Sequence, residues 1–170
     1  MRVLETGRLC LRHLTGDDAV FILEVLNEPA FLQNIGDRGV RSEADAVVYI
    51  RNGPVASYEK HRFGLYLVEL KATRVPIGIC GLLKRDFLDD ADIGFAFLRR
   101  FWSQGYAFES ASAVMDHARN VLGLPRILAL TAPDNHASIR LLGKIGLRFD
   151  RTFGMPGAKE PSRLFTSEPE

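Results

Sequence analysis

The 170-residue chain has little sulfur: two cysteines, Cys10 and Cys80, stand far apart. Neither has a paired spacing or a neighbouring histidine cluster, which argues against a disulfide framework and against a thiolate metal site. Both lie in apolar, strand-like stretches and read as small buried residues in a reducing compartment. His13, His61, His117 and His136 are scattered, with no partner at metal-ligand spacing, so no metal is expected. An excess of one charge is also missing. With 22 Lys and Arg against 21 Asp and Glu, the formal net charge is +1, which gives no general pull toward nucleic acid or a membrane surface. No apolar run approaches the ~20 residues of a membrane span, and residues 1–14 lack a signal core. The expectation is a cytoplasmic protein. Repeats, low-complexity segments and linkers are absent too, so residues 1–170 read as a single domain, monomeric or homodimeric. Any anionic ligand must then be held by local geometry at loops and helix starts.

Periodicity supplies the elements. Residues 8–14 alternate as a first strand. Thr15 with Asp17 and Asp18 opens a helix that stops before Pro29, and Ser42 with Asp45 opens a second. Gly53-Pro54 is expected to interrupt or kink that second helix, whose pattern can resume toward Tyr58. Residues 63–70, 75–84 and 92–98 read as three strands in antiparallel hairpins. From Tyr106, apolar positions recur every three or four residues through Ala107, Ala111, Val114, Ala118 and Val121, which is one face of a helix. A strand at 126–131, a helix at 135–145 and a final antiparallel pair at 147–153 and 162–166 complete the chain. The predicted class is α/β: a mixed, about seven-stranded sheet with helices on both faces. Its strand–helix–strand crossover makes strands 92–98 and 126–131 parallel neighbours.

Two junctions carry chemistry. At Ser103-Gln104-Gly105-Tyr106-Ala107 a strand passes through a short turn into the long helix. Small residues there let a ligand approach the backbone, and the free N–H groups and dipole of the helix start suit a phosphate or diphosphate. The same residues also fit a tight turn that only eases helix packing, and the spacing matches neither a dinucleotide fingerprint nor a P-loop. At the second junction Asn135 is a helix cap, with Ser138 in the first turn. The crossover places both helix starts at the C-terminal ends of neighbouring strands, where open α/β sheets bind ligands.

The run Asp92-Ile93-Gly94-Phe95, Trp102-Ser103-Gln104-Gly105-Tyr106-Ala107-Phe108-Glu109, and then Asn135, Ser138, Lys144 and Gly146 resembles the signature of the GNAT superfamily of N-acetyltransferases. The resemblance is strongest to its RimJ/RimL-like branch of ribosomal-protein N-terminal acetyltransferases. With Arg8-Leu9-Cys10-Leu11-Arg12 at the start, it spans nearly the whole chain. It departs from the pattern at Ser103, where Gly is frequent, and at Leu147, where Phe is usual; Trp102 replaces a Gln or Arg, as is common in this branch. The resemblance implies the acyl-CoA N-acyltransferase fold, acetyl-CoA as cosubstrate, and an amine acceptor, either a protein N-terminus or a small molecule.

By the same resemblance, the backbone of Ser103, Gln104, Gly105, Tyr106 and Ala107 holds the diphosphate. Phe97 and Leu98 pair with the pantetheine arm, with an N–H near Leu98 polarising the thioester carbonyl, and Asn135 lies beside the pantetheine. Asp92 stands where the family often carries the acid that deprotonates the amine through water. It reads equally as a strand-start carboxylate paired with a Lys or Arg. Ser138 matches the residue proposed in this branch to protonate the departing thiolate, or it only orients the sulfur; the Tyr acid of many relatives is absent from the helix at 135–145. Glu109 is accounted for by the helix dipole, and Arg99-Arg100 by solvation or by a cofactor phosphate. A second reading keeps the same fold as a non-catalytic acyl-CoA-binding sensor or interaction module.

Overall fold

In the computed structural model, which describes residues 1–167, alternating side chains build one sheet with two covered faces. Strands β1 Arg2–Glu5, β2 Leu9–Arg12, β3 Leu65–Leu70, β4 Pro76–Leu83, β5 Asp92–Phe97, β6 Leu128–Thr131, β7 Leu147–Phe153 and β8 Ser162–Ser167 lie in the order β1-β2-β3-β4-β5-β6-β8-β7. Every neighbouring pair is antiparallel except β5 with β6. Along β3, Tyr66 and Val68 face Ala111, Val114, Met115 and Ala118 of α5 (Tyr106–Asn120), whose inner stripe the sequence predicts. Leu67, between them, faces Ile22 and Val25 of α1 (Ala19–Leu26) and Ala46 and Ile50 of α3 (Glu43–Ile50). Helices thus cover both faces, as the period-two pattern requires.

Two expectations change. The sheet has eight strands rather than about seven, because β1 adds an edge to β2. A short helix, α2 (Pro29–Asn34), follows α1 where Pro29 reads as a stop; Pro29 occupies its first turn, where a missing N–H costs nothing. Gly53-Pro54 interrupts the second helix, as expected, by widening it. Residues Arg51–Val55 form a π-helical turn, with the Ala56 N–H reaching back to the Arg51 carbonyl, and α4 (Ala56–His61) continues. Caps fall as read: the Ser42 hydroxyl accepts the Asp45 N–H at 3.1 Å, and Thr15 forms a capping box with Asp18.

The feature that positions the site is the parallel pair. β5 and β6 share one register pair, Asp92 with Leu128, and the Leu128 N–H donates to the Ala91 carbonyl at 2.9 Å. Beyond it β6 pairs along its length with β8, while β5 stays with β4. The sheet therefore opens as a wedge from Asp92 upward. Helices α5 and α6 (His136–Lys144) start at its open end.

Candidate active site

The turn into α5 is built to leave donors free. Ser103 and Gly105 both adopt positive φ, 62° and 82°, a turn of the kind in which successive N–H groups converge on an anion. No side chain caps the helix. The N–H groups of its first turn therefore lack intrahelical partners until that of Glu109, which bonds to the Gly105 carbonyl at 3.0 Å. Glycine is favoured at 105 by its backbone, and a side chain there would also crowd Arg8. The Gly105 φ is left-handed, and an added Cβ would lie 3.2 Å from the Arg8 Nη2.

Arg8 supports this turn from behind. It donates from Nη1 to the Gln104 carbonyl at 2.9 Å and from Nε to Glu109 Oε2 at 2.7 Å. Its guanidinium lies 4.4 Å from the centre of the Tyr106 ring. The Thr6 hydroxyl donates to Glu109 Oε1 at 2.6 Å. Glu109 thus does more than complement the helix dipole: it ties the β1–β2 turn to the start of α5. Burial would raise its pKa, but the hydrogen bonds from Thr6 and Arg8 and the Arg8 charge outweigh burial and hold it below the ordinary value.

Along β5 the hydrogen-bond alternation decides which groups reach the wedge. The Leu98 N–H donates to the Ile77 carbonyl at 3.0 Å, and its own carbonyl accepts from Phe101. The odd-numbered neighbours Ile93, Phe95 and Phe97 turn their backbone groups the other way, toward β6. The amide of Leu98 itself is therefore engaged inside the sheet, and its neighbour Phe97 is the residue that presents its backbone to the wedge. One Phe97 group is already used, since the Trp102 indole donates to its carbonyl at 2.8 Å. On β6, the Thr131 hydroxyl is buried with no hydrogen-bond partner among the described residues, and Thr131 lines the site's cavity.

Wedge, turn and both helix starts line one cavity of about 830 Å³. Of the sequence-predicted residues, Asp92, Ser138, Phe97 and Asn135 border it, together with Ser103, Gly105, Tyr106 and Ala107. Leu98 and Gln104 do not: Leu98 is buried in the core under α1 and α3, and Gln104 gives its carbonyl to Arg8 and its side-chain amide to the Arg100 carbonyl. The Asn135 side chain caps α6, accepting the Ser138 N–H at 3.4 Å. The Ser138 hydroxyl faces no protein partner among the described residues.

Asp92 is paired with a basic residue, one of its two expected roles. It is 1% exposed, and the Arg85 Nε donates to both of its oxygens at 3.1 Å. Burial pushes its pKa up to about 6, against the opposing charge and hydrogen bond of Arg85. A carboxylate that titrates near neutrality at the edge of a cavity is suited to taking a proton.

Arg38 and Tyr49, which no motif marks, also line the cavity. Arg99 and Arg100 are engaged elsewhere: Arg100 pairs with Glu24 at 2.7 Å, and Arg99 lies over the Trp102 ring. His13 is not isolated but stacks on Tyr58, ring centres 3.9 Å apart.

Residues 8–148 match the family model described as "Acetyltransferase (GNAT) domain". The chain belongs to the GNAT acetyltransferase family. Among its relatives, the "Uncharacterized protein YkkB" of Bacillus subtilis is 37% identical over 152 residues, covering 88% of this chain and 87% of that one. The "Uncharacterized N-acetyltransferase YoaA" of the same organism is 32% identical over 148 residues, with 86% and 82% covered. In fold, this GNAT chain superposes on RimL, a ribosomal L7/L12 alpha-N-protein acetyltransferase solved in complex with coenzyme A, with a TM-score of 0.85 over 99% of this chain and 98% of RimL, at 16% identity. The protein is therefore an acetyltransferase enzyme, which sets aside the non-catalytic sensor; GNAT enzymes use an acyl-CoA and an acceptor.

Proposed function

We propose that this enzyme transfers an acetyl group from acetyl-CoA directly to a primary amine, a protein N-terminus or a small molecule, while both substrates share the cavity. One observation carries the reading: the uncapped start of α5, the β5–β6 wedge and a buried carboxylate with a pKa near neutrality border a single space. The free N–H groups at Gly105, Tyr106 and Ala107 fit a diphosphate. The wedge-facing backbone of Phe95 and Phe97, with the Thr131 hydroxyl, fits an amide-bearing arm lying as an extra strand. Bound there, acetyl-CoA supplies a thioester whose carbonyl accepts the amine.

The chain's own residues handle protons. Asp92, ionised above about pH 6, takes the amine proton through a bridging water, which leaves the neutral nucleophile that acyl transfer needs. Ser138, with its hydroxyl on the cavity wall, orients or protonates the leaving sulfur. The Trp102 to Glu109 run and the RimL fold both support a place near the RimJ/RimL-like branch. The test is release of free thiol from acetyl-CoA across a panel of N-terminal peptides and small amines. Amine-dependent release is expected, and its absence on every amine would refute transfer.

A further inference from the structure

One part of the cavity wall carries a charge pattern that narrows the amine. It is apolar at Phe31, Ile35 and Pro54 and polar at Arg38, Tyr49 and Arg85. Arg38 is exposed and has no hydrogen bond or ion pair among the described residues. The neighbouring carboxylate does not neutralise it, because Asp37 pairs with Arg41 and accepts the Gly39 N–H at 2.8 Å. Tyr49 is half-buried, and its phenol hydroxyl has no hydrogen-bond partner among the described residues. Burial raises the Tyr49 pKa, and the positive charges of Arg38 and Arg85 partly offset that rise, so both guanidiniums lie within electrostatic reach of the phenol. Arg85 commits its Nε to Asp92, and no partner among the described residues takes its two terminal nitrogens. The acid that Arg85 contacts is thus already paired, and the net character of this part of the wall is cationic. Glu28, the other carboxylate on the cavity wall, accepts the Arg99 N–H at 3.4 Å, beyond the far end of β5.

We infer that the acceptor amine carries an anionic group, a carboxylate or phosphate, which binds Arg38 and the Tyr49 hydroxyl while its apolar body rests on Phe31 and Ile35. This rests on the proposed amine acetylation and names its substrate class. A guanidinium and a phenol donor on the wall of one cavity suit recognition of a carboxylate. The same positive field repels a polyamine. A free amino acid and a peptide with an acidic residue after its N-terminus share this chemistry.

The test uses the whole protein saturated with coenzyme A. Calorimetry compares N-acetyl-phenylalanine and N-acetyl-leucine with their uncharged amides. Each acid is expected to bind at least about ten-fold more tightly than its amide, and Arg38→Gln is expected to erase that preference while leaving stabilisation by acetyl-CoA unchanged. Tyr49→Phe, which keeps the ring and removes the donor, should erase part of it. Equal binding of acid and amide, or a preference unmoved by Arg38→Gln, overturns the inference. Turnover assays with phenylalanine, its amide, an acidic N-terminal peptide and spermidine separate the sources: acid or acidic peptide should lead, and a lead by spermidine overturns the inference. An Arg38-dependent acid preference in binding, with no thiol release on any amine, would support the anion site while refuting the proposed transfer.

Discussion

Asp92 carries two opposing demands in one carboxyl group, and each leaves a measurable trace. In the fold its pKa rises from 3.8 to about 6 because burial disfavours the charged form more than Arg85 favours it. The catalytic trace is a rise in kcat/KM with an inflection near pH 6 as the base ionises, lost in Asp92→Asn together with most turnover; an unchanged profile in that variant would remove Asp92 as the base. The stability trace has the opposite sign. The folded state holds this proton more tightly than the unfolded chain, so the group's contribution is complete below pH 3.8 and is lost as pH rises through about 6. Denaturant titrations of the wild type and Asp92→Asn between those values should diverge accordingly. Asp92 and Ser138 were readable because the motif marks them. Arg85 was not, since it stands in a connecting loop with no periodicity, and only the fold brings it to Asp92. The engagement of Leu98 with Ile77 was equally hidden, because β-strand parity depends on register, and register is not a property of one strand's residues.

At the scale of elements, the start of α5 works because another element holds it. Arg8 and Glu109 are about a hundred residues apart, yet their contact fixes the turn whose N–H groups are free. No local pattern reveals such a pair, whereas the helix itself was plain from its apolar spacing. Glu109→Gln keeps the shape of the side chain and weakens the hold on Arg8. Its acetyl-CoA Kd should rise about five-fold or more, roughly 1 kcal/mol, with no change in the acceptor preference. Gly105→Ala forces a Cβ into left-handed φ and toward Arg8. It should cost about 1–2 kcal/mol of stability by thermal or chemical unfolding and also weaken acetyl-CoA binding. A variant as stable as the wild type would show that the turn relaxes freely. The two elements missed in the sequence have physical explanations. β1 is a four-residue edge strand whose half-exposed pattern is decided by its pairing with β2. Pro29 was read as a terminator, but at a first turn it is an initiator.

For the whole molecule, the wedge is the organising feature. Parallel pairing of β5 and β6 followed from crossover length, but their separation beyond Asp92 did not, because it depends on β6 following β8 instead of β5. That separation converts two ordinary helix starts and a strand edge into one cavity of about 830 Å³. Acetyl-CoA must occupy that cavity for the proposed function to hold. Thermal unfolding with acetyl-CoA at about 100 times its Kd should show a stabilisation of about 2.7 kcal/mol, a rise in Tm of roughly 5–10 °C for a chain of this size, and a much smaller rise in Gly105→Ala. A wild-type Tm that does not move at any acetyl-CoA concentration would contradict the proposed function.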